Sequence, residues 1–445
     1  MVRALTAWLM GVALLMATTV ACTSTIDLQG VNYNYRRGDY WGAYEELQAL
    51  QESYTKKQGP LLYALDAGML AHYGQQYSES NLLLSAAERG IWENYSESIT
   101  ANIASYLVND NTRAYQGEDF EDLYANIFKA LNYLHLGEPE SAMVELRRFT
   151  EKQQLLKQKY LNLNARLSNT SYGEVVEEYT SSQFSSSALG FYLQMVLARD
   201  IGEFDTAQYS KRALEESFKS QKMLYPFSIP STVAEDLTPP AEREGRVNIV
   251  AFSGLSPYKE EVVERLPLSR TNYVKIALPR MVRRPTVIDS IEVVVSNVGA
   301  FKLELLEDMG TIAVDAFKMR ENHIYNKTII RALLKATGSE IIDYTTQYMY
   351  TEAQSQQEAD TIAVIGTFLS FFSRIFSEAS ENADVRGSHY FPDKAWIGGV
   401  TLPYGSYDVR LLYRNRSGKI VYEDNLKGLT VTAKGLRLWE SVCPL

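Results

Sequence analysis

Two kinds of hydrophobic spacing divide the chain. From about position 33 to 220, apolar residues recur at helical spacing, which predicts amphipathic helices joined by short turns. From about position 246 onward, short runs of β-branched and aromatic residues lie between turn residues, which predicts strands. We therefore predict an α+β multidomain protein, with an all-α domain at 33–220 and a β-rich domain at 246–445.

One block of residues returns within the helical half. A glycine is followed at fixed intervals by an aromatic residue or proline, then an alanine, then two apolar positions. The block occurs at 38–50, 137–149 and 202–214, with Lys211 at one apolar position, and Gln75 replaces the glycine in a weaker copy. It resembles the second helix of tetratricopeptide repeats, in which glycine closes the turn and alanine lets helices approach. The uneven spacing of the blocks leaves an irregular helical bundle as the alternative.

The second half contains a boundary, strands and a helical insertion. Four prolines among polar residues predict a linker at 221–245. Strands are expected at 247–252, 273–278 and 291–296, and helices are inserted at about 316–381. The last part of this insertion, 361–373, is uncharged and apolar around most of its circumference. Because it is too short to span a bilayer, burial within the C-terminal domain is favoured over contact with a membrane.

The end of the chain has the clearest strand pattern. Alternating residues and turn signals predict a meander of strands at 396–402, 407–413 and 420–422. Such a meander must cover one face, and the inserted helices are the nearest candidates for covering it.

The N-terminus has the form of an export signal. Arg3 precedes an uncharged stretch at 4–26, and small residues then lead to Cys22. This ending resembles the lipobox of bacterial lipoproteins, although Thr19 stands where leucine is usual. We predict a signal peptide at 1–21, lipid on Cys22 and a tether at 22–32. The alternative is an uncleaved membrane-spanning anchor; both place the folded chain outside the cytoplasm, and Thr23 favours the outer membrane.

Composition and charge narrow the partners. The 445 residues carry a formal net charge of −10, which argues against binding nucleic acid or anionic headgroups. A neutral or basic protein partner is easier to accommodate. Cys22 and Cys443 are the only cysteines, so the mature chain uses no internal disulfide if Cys22 carries lipid.

The motifs of common enzymes do not occur in the sequence. The four histidines lie outside any His-Glu-x-x-His pattern, and no phosphate-binding glycine loop or Gly-x-Ser-x-Gly turn is present. We therefore predict no metal, no cofactor and no enzymatic activity.

Two polar groups are candidate functional residues. The carboxylates of Glu118, Asp119, Glu121 and Asp122 suit acid and base roles in glycoside cleavage, but they also suit the first turn of a helix that begins after Gly117. The structural interpretation is favoured. Glu145 and Arg148 lie one helical turn apart and are expected to form an ion pair. The many tyrosines of the helical half belong either to a binding groove or to the core.

Several segments resemble a family of uncharacterised bacterial envelope lipoproteins. The matching segments are 117–121, Leu131, Gly137, 144–148, 276–279, Arg284, Pro285, 383–386, Pro392 and 402–405. The resemblance implies placement in the cell envelope and repeat-like helices, without an assigned activity. Some members are encoded beside activators of peptidoglycan synthases, which is a weak hint of cell-wall work.

Three functions follow as hypotheses. The first is a scaffold, anchored to the membrane by its lipid, whose helices bind an envelope protein or peptide. The second is a cell-wall enzyme, or an accessory factor of peptidoglycan synthesis, that uses the carboxylates at 118–122. The third is a purely structural component of the envelope.

Overall fold

The N-terminal half of the protein is helical. The computed structural model describes residues 26–100, 114–168, 182–267, 273–336, 383–432 and 435–445. Its first nine helices in the described residues are α1 (Gln29–Arg36), α2 (Tyr40–Ala49), α3 (Gln51–Gln58), α4 (Pro60–Tyr73), α5 (Tyr77–Thr100), α6 (Asp119–His135), α7 (Pro139–Ser168), α8 (Ala188–Asp200) and α9 (Phe204–Ser220). Strands follow, so the prediction of a helical N-terminal region and a β-rich C-terminal region is confirmed.

Four helix pairs share one turn. In α1/α2, α4/α5, α6/α7 and α8/α9, three residues separate the helices, and the middle one has a positive φ. These middle residues are Gly38 (76°), Gln75 (61°), Gly137 (75°) and Gly202 (83°). In each turn the next residue donates its amide to the carbonyl five positions back, as Glu138 does to Tyr133 at 2.8 Å. This is the Schellman motif, and Gln75 adopts it without the freedom of glycine.

The four turns share one backbone geometry. Adding a side chain at a glycine of these turns and removing the side chain of Gln75 should therefore change stability in opposite directions. Nothing lies within 4 Å of a Cβ built on Gly137, so Gly137→Ala adds only left-handed backbone strain and should cost about 1 kcal/mol. Gln75→Gly removes the same strain and should raise the free energy of unfolding by up to about 1 kcal/mol. Urea unfolding of both variants measures this, and changes of the same sign would contradict a shared geometry.

The helix pairs pack in sequence. The second helix of each pair contacts the first helix of the next, as α2 does with α4, α5 with α6 and α7 with α8. The alanines of the repeated block, Ala43, Ala142 and Ala207, are buried. Small side chains at these positions let the helices approach closely.

The C-terminal half contains two sheets and a separate hairpin. Its elements in the described residues are α10 (Thr232–Glu235), β1 (Glu244–Ser253), β2 (Tyr258–Pro267), β3 (Tyr273–Val282), β4 (Ser290–Val295), β5 (Gly299–Lys302), β6 (Glu304–Asp308), α11 (Met309–Ala336), β7 (Lys394–Pro403), β8 (Gly405–Arg414), β9 (Ile420–Val431) and β10 (Arg437–Cys443). Sheet 1 has the order β10-β1-β7-β6, with β10 parallel to β1, and sheet 2 has the order β5-β4-β8-β9. Strands β2 and β3 form the hairpin.

Sheet 1 is the middle of three layers. On β1, Val250 and Phe252 join the core shared with the helices, while Ile249 and Ala251 face sheet 2. Burial on both faces explains why β1 is continuously apolar. The strands of the predicted meander divide between the sheets: β8 and β9 pack against sheet 1, while β7 belongs to sheet 1 and contacts α11, the first of the inserted helices. A bend at 403–405 lets consecutive strands enter different sheets.

The segment at 221–245 is packed rather than extended as a spacer. Leu224, Tyr225 and Val233 are buried in the core that the helices share with sheet 1. The short helix α10 lies within it, and β1 begins at Glu244. The two halves are therefore joined by a common interior.

Two other predicted boundaries differ from the structure. Helix α1 begins at Gln29 with Val31 buried, so the predicted tether overlaps the folded part. Helix α11 begins at Met309, before the predicted insertion at about 316–381, and continues into it. The apolar stretch 361–373 lies outside the described residues. No helix within the described ranges is long and apolar enough to cross a membrane.

Candidate functional site

The first helices of three pairs form a groove that holds a segment of the same chain. We call this surface, on α1, α4 and α6, the inner groove, and its occupant is the extended segment at 383–393 before β7. Side chains of the groove bind the backbone of this segment in three places. Glu121 Oε1 accepts from Ser388 N (2.7 Å), and Asp66 Oδ1 accepts from His389 N (2.7 Å). The Tyr73 hydroxyl donates to Tyr390 O (2.9 Å). This is how helical surfaces hold an extended peptide.

Two aromatic side chains anchor the segment in the inner groove. The Tyr390 ring lies 5.1 Å from that of Tyr35, and its hydroxyl donates to Asn32 Oδ1 at 3.1 Å. Phe391 packs edge-to-face against Phe128, with ring centres 5.8 Å apart. Tyr35, Tyr390 and Phe391 are all buried. The tyrosines whose role the sequence left open therefore include residues, such as Tyr35, that bind a segment of the same chain.

The carboxylates at 118–122 lie at the start of α6 and are engaged by other residues. Glu118 binds Lys259 Nζ at 2.6 Å and Arg320 Nε at 3.2 Å, which ties α6 to β2 and α11. Glu121 Oε2 accepts from the amide of Glu118 and from the Tyr115 hydroxyl, both at 2.7 Å. Burial, and then the charge of Glu118, raise the pKa of Glu121.

The other two carboxylates face α7. Asp119 accepts from Lys159 Nζ and from the Tyr160 hydroxyl, both at 2.5 Å, and Asp122 binds Lys152 Nζ at 2.6 Å. All three partners lie on α7, so these charge-assisted hydrogen bonds join the start of α6 to α7. Catalysis by a carboxylate pair needs one carboxyl facing a substrate. Of these two, Asp119 is buried and Asp122 is partly exposed.

Glu145 and Arg148 also lie within the helical packing. Arg148 Nη1 is 3.1 Å from Glu145 Oε1, while Glu145 Oε2 accepts from Asn126 Nδ2 at 2.6 Å and lies 3.1 Å from Lys129 Nζ. Glu145 is buried and Arg148 is half exposed. Glu145 therefore joins α7 to α6, while Arg148 pairs with it on the same helix.

Sequence analysis missed a histidine–carboxylate pair in the inner groove, formed by the partly exposed His389 and the buried Asp66. His389 Nδ1 lies 2.7 Å from Asp66 Oδ2, and the same oxygen accepts from the Tyr54 hydroxyl at 2.7 Å. Asp66 is fully buried. The sequence carried a signal for it, because Asp66 is the only acidic residue in the otherwise apolar helix α4.

A separate cleft of about 470 Å³ opens between α10 and sheet 1. Arg246, Glu235, Glu304 and Gly399 line it, together with other residues of β5 and β7. Arg246 is bound there to Asp236 and Glu235, at 2.7 and 3.0 Å. Within the described ranges, no group of histidine, cysteine and acidic residues has a geometry that fits a metal ion.

The two cysteines have different settings. Cys22 lies outside the described residues. Cys443 is fully buried between the sheets, and burial raises the pKa of its thiol to about 12. Its thiol therefore stays protonated and packs as a small apolar group.

Comparison with known proteins gives no relative. No family model, no curated protein and no solved structure matches this chain.

Proposed function

We propose that this protein is a non-catalytic scaffold of the bacterial envelope, anchored through lipid on Cys22. The signal-like N-terminus and the small residues before Cys22 support the anchor. We include in the proposal that the four helix pairs are a degenerate, tetratricopeptide-like array. The identical turns at Gly38, Gln75, Gly137 and Gly202 support a common unit.

The two surfaces of such an array have different roles. The first helices α1, α4 and α6 face inward and hold residues 383–393. The second helices turn one face outward. Since the inner groove already contains a segment of the chain, the outer face is the surface that remains for a partner.

Exposed apolar residues recur on this outer face. Leu82, Val144 and Tyr209 each lie seven positions after the turn residue of their pair, and they are 69%, 44% and 56% exposed. At about 100° per residue, this position points away from position five after the turn, which is buried in all four pairs, and from position nine, which is buried in the first three. Glu45 occupies it in the first pair. The repetition of an exposed apolar side chain on three successive pairs carries the proposal.

The partner that fits this face is a protein with an apolar contact surface and a neutral or basic charge. The chain carries a net charge of −10, which disfavours an acidic partner. The cell-wall enzyme is the weaker alternative because lysine, arginine and tyrosine side chains already take the carboxylates at 118–122.

Photo-crosslinking in living cells tests the outer face. A photoreactive residue at Leu82, Val144 or Tyr209 should give the same discrete crosslinked band at all three sites. The matched controls are Glu45, on the same face of the first pair, and Ile420, an exposed apolar residue of β9. Equal bands at the controls, or no band at the three sites, would overturn the assignment.

The anchor is tested in the same cells. Wild-type protein should incorporate labelled palmitate, whereas Cys22→Ala should carry no label and leave the membrane fraction. An unlabelled wild-type product would remove the lipid from the proposal and leave the outer-face test intact.

A further inference from the structure

Strand β7 has an open edge beyond the end of β6. The register between the two strands ends with Glu304 opposite Ile397. The chain passes from sheet 2 into sheet 1 at Leu303, whose amide still donates to Ile291 O of β4 at 2.9 Å. Because β6 begins only after this crossing, residues 398–403 of β7 register with β1 alone among the described residues. A strand edge of this kind is a template for pairing with another chain.

The open side of this edge faces the cleft between α10 and sheet 1. The amide of Tyr404 donates to Arg243 O at 2.8 Å, on the side of β1. Backbone groups alternate between the two sides of an antiparallel strand, so Gly399 and Thr401 direct their N–H and C=O groups to the open side. Gly399 is partly exposed and Thr401 is exposed. Residues 398–401 all line the cleft, and since successive side chains point to opposite faces, the cleft follows the edge of β7.

Two walls flank the open edge. Helix α10 forms one wall, and the end of β5 with Phe301 forms the other. A Cβ built on Gly399 would lie 2.8 Å from Thr232 Oγ1, and one built on Gly398 would lie 3.1 Å from Phe301 Cε2. Glycine therefore leaves bare backbone between walls that stand close to it. The cleft of about 470 Å³ has the size of a ligand site, whereas the same edge of a second copy would bring walls of its own and collide.

The two walls differ in character. The wall at α10 is polar and includes Glu235, which is 59% exposed, while the opposite wall presents the ring of Phe301. Glu235 and a second carboxylate bind Arg246, and the charges of Lys302 and Glu304 offset each other. One negative charge remains in excess at the cleft. An added strand turns alternate side chains to the two walls, so apolar residues that alternate with basic ones fit best.

We propose that this cleft binds an extended peptide segment of another protein, which joins sheet 1 as a strand beside β7. The backbone of the peptide bonds to Gly399 and Thr401. Pro403 lacks an N–H and ends the edge, so the bound segment is about five residues long. Its apolar side chains contact Phe301, and its basic side chains lie near Glu235. This site is separate from the outer face of the helices.

A designed pentapeptide is the probe for this site. N-acetyl-Val-Lys-Val-Lys-Val-amide should bind saturably to the full chain in calorimetry, and it should slow hydrogen exchange at the amides of Gly399 and Thr401 about tenfold or more. N-acetyl-Val-Glu-Val-Glu-Val-amide should bind about tenfold more weakly, because like charges meet at the cleft. Equal or tighter binding of the glutamate peptide would contradict the charge that we assign to the site.

Methylation of the peptide backbone tests strand pairing directly. Only alternate residues of an added strand direct their N–H groups to β7. Two methyl groups on the lysine nitrogens and two on valine nitrogens should therefore have different effects: one peptide should lose binding about tenfold or more, and the other should keep it. Loss in both peptides, or in neither, would exclude binding as an added strand.

Substitution of Thr401 separates the backbone of β7 from its side chain. Thr401→Pro removes the N–H on the open side and should weaken the lysine peptide about tenfold or more, with little change in Tm, since proline is tolerated on a strand edge. Thr401→Val is the matched control, because it keeps the N–H and should keep binding. Binding that survives in Thr401→Pro would refute the site. A large fall in its Tm would show that this N–H already has a structural partner, which also counts against the proposal.

Hydrogen exchange of the free protein checks that the edge is open. The amides of Gly399 and Thr401 should exchange about tenfold or more faster than those of Val400 and Leu402, which bond to β1. Equal protection of all four amides would show that a second copy or another part of the chain covers the edge, and the proposal would fall. None of these measurements involves the outer-face partner.

Discussion

Glu307→Gln is expected to lower the free energy of unfolding by about 2 to 4 kcal/mol, since buried donors that lose their acceptor cost about 1 to 3 kcal/mol each. Glu307 lies on β6 and is fully buried. Its oxygens accept from the hydroxyls of Tyr124 (2.6 Å), Tyr225 (2.7 Å) and Ser187 (2.8 Å), and from the amide of Leu189 (3.0 Å). A glutamine places an NH₂ group where a carboxylate oxygen now accepts, so at least one donor loses its partner.

This carboxylate joins distant parts of the structure. Its donors come from α6, from the start of α8 and from the segment after α9. Burial raises the pKa of Glu307, and the four donors oppose that shift. These four hydrogen bonds therefore hold sheet 1 against the helices, and none of the four donors is a cation.

Glu304→Gln is the matched control for this substitution. Glu304 begins the same strand, and its Oε1 accepts from the amide and hydroxyl of Ser231 near the surface. A glutamine oxygen can still accept there, so the effect should stay within about 0.5 kcal/mol. Urea unfolding of the two variants makes the comparison. Equal effects would show that Glu307 contributes no more than a surface contact.

Glu440→Gln is expected to remove on the order of 3 kcal/mol of stability near pH 6, from the shift of a pKa of 4.5 to about 2. Glu440, on β10, lies 2.6 Å from His72 Nε2 and 2.9 Å from His135 Nε2. Burial raises the pKa of Glu440, but the two histidines outweigh it and lower the pKa to about 2. The carboxylate thus fastens the last strand to α4 and α6.

The hydrogen bonds require His72 to be charged. Its Nδ1 lies 2.6 Å from Asn132 Oδ1, while Asn132 Nδ2 donates to Ser80 and Asn81. Both ring nitrogens of His72 therefore face acceptors, and only the imidazolium donates from both. Burial lowers the pKa of His72, but Glu440 and Asn132 raise it more, so that the net pKa is above 6.5.

The sign of the pH dependence follows from these two shifts. The contribution of Glu440 is complete above about pH 4.5, its unfolded pKa, and is lost as the pH falls towards about 2. The contribution of His72 is complete below pH 6.5 and is lost as the pH rises through its raised folded pKa. The wild-type protein should therefore become less stable as the pH rises from 6.5.

The loss of stability above pH 6.5 tests the role of His72 best, because many carboxylates contribute to the loss of stability at acid pH. His72→Asn should reduce the decline in stability above pH 6.5, as measured by urea unfolding at a series of pH values, and the raised pKa of His389 should account for part of what remains. His389→Asn is the comparison variant, since His389 pairs with Asp66 and has no contact with Glu440. A decline that persists unchanged in His72→Asn would show that another group titrates.

The sequence contained the local structure of this protein. Helix pairs, their turns and the strand positions depend on residues within a few positions of one another, so spacing alone reveals them. The block around Gly137 predicted a turn and a second helix, and both are present. The acidic residues after Gly117 likewise indicated the start of α6, because helix termini favour carboxylates through local bonds.

The tertiary structure decided which of these elements meet. His72 and Glu440 are 368 positions apart, Asp66 and His389 are 323 apart, and Glu307 lies 183 from Tyr124. No periodicity links such residues, because their contact depends on how complete layers pack. For the same reason, the sequence predicted separate domains and a spacer at 221–245, whereas the helices share a core with sheet 1. The binding of residues 383–393 in the inner groove also depends on tertiary packing. This extended segment has no regular alternation, so no local sequence pattern predicts the surface that it binds.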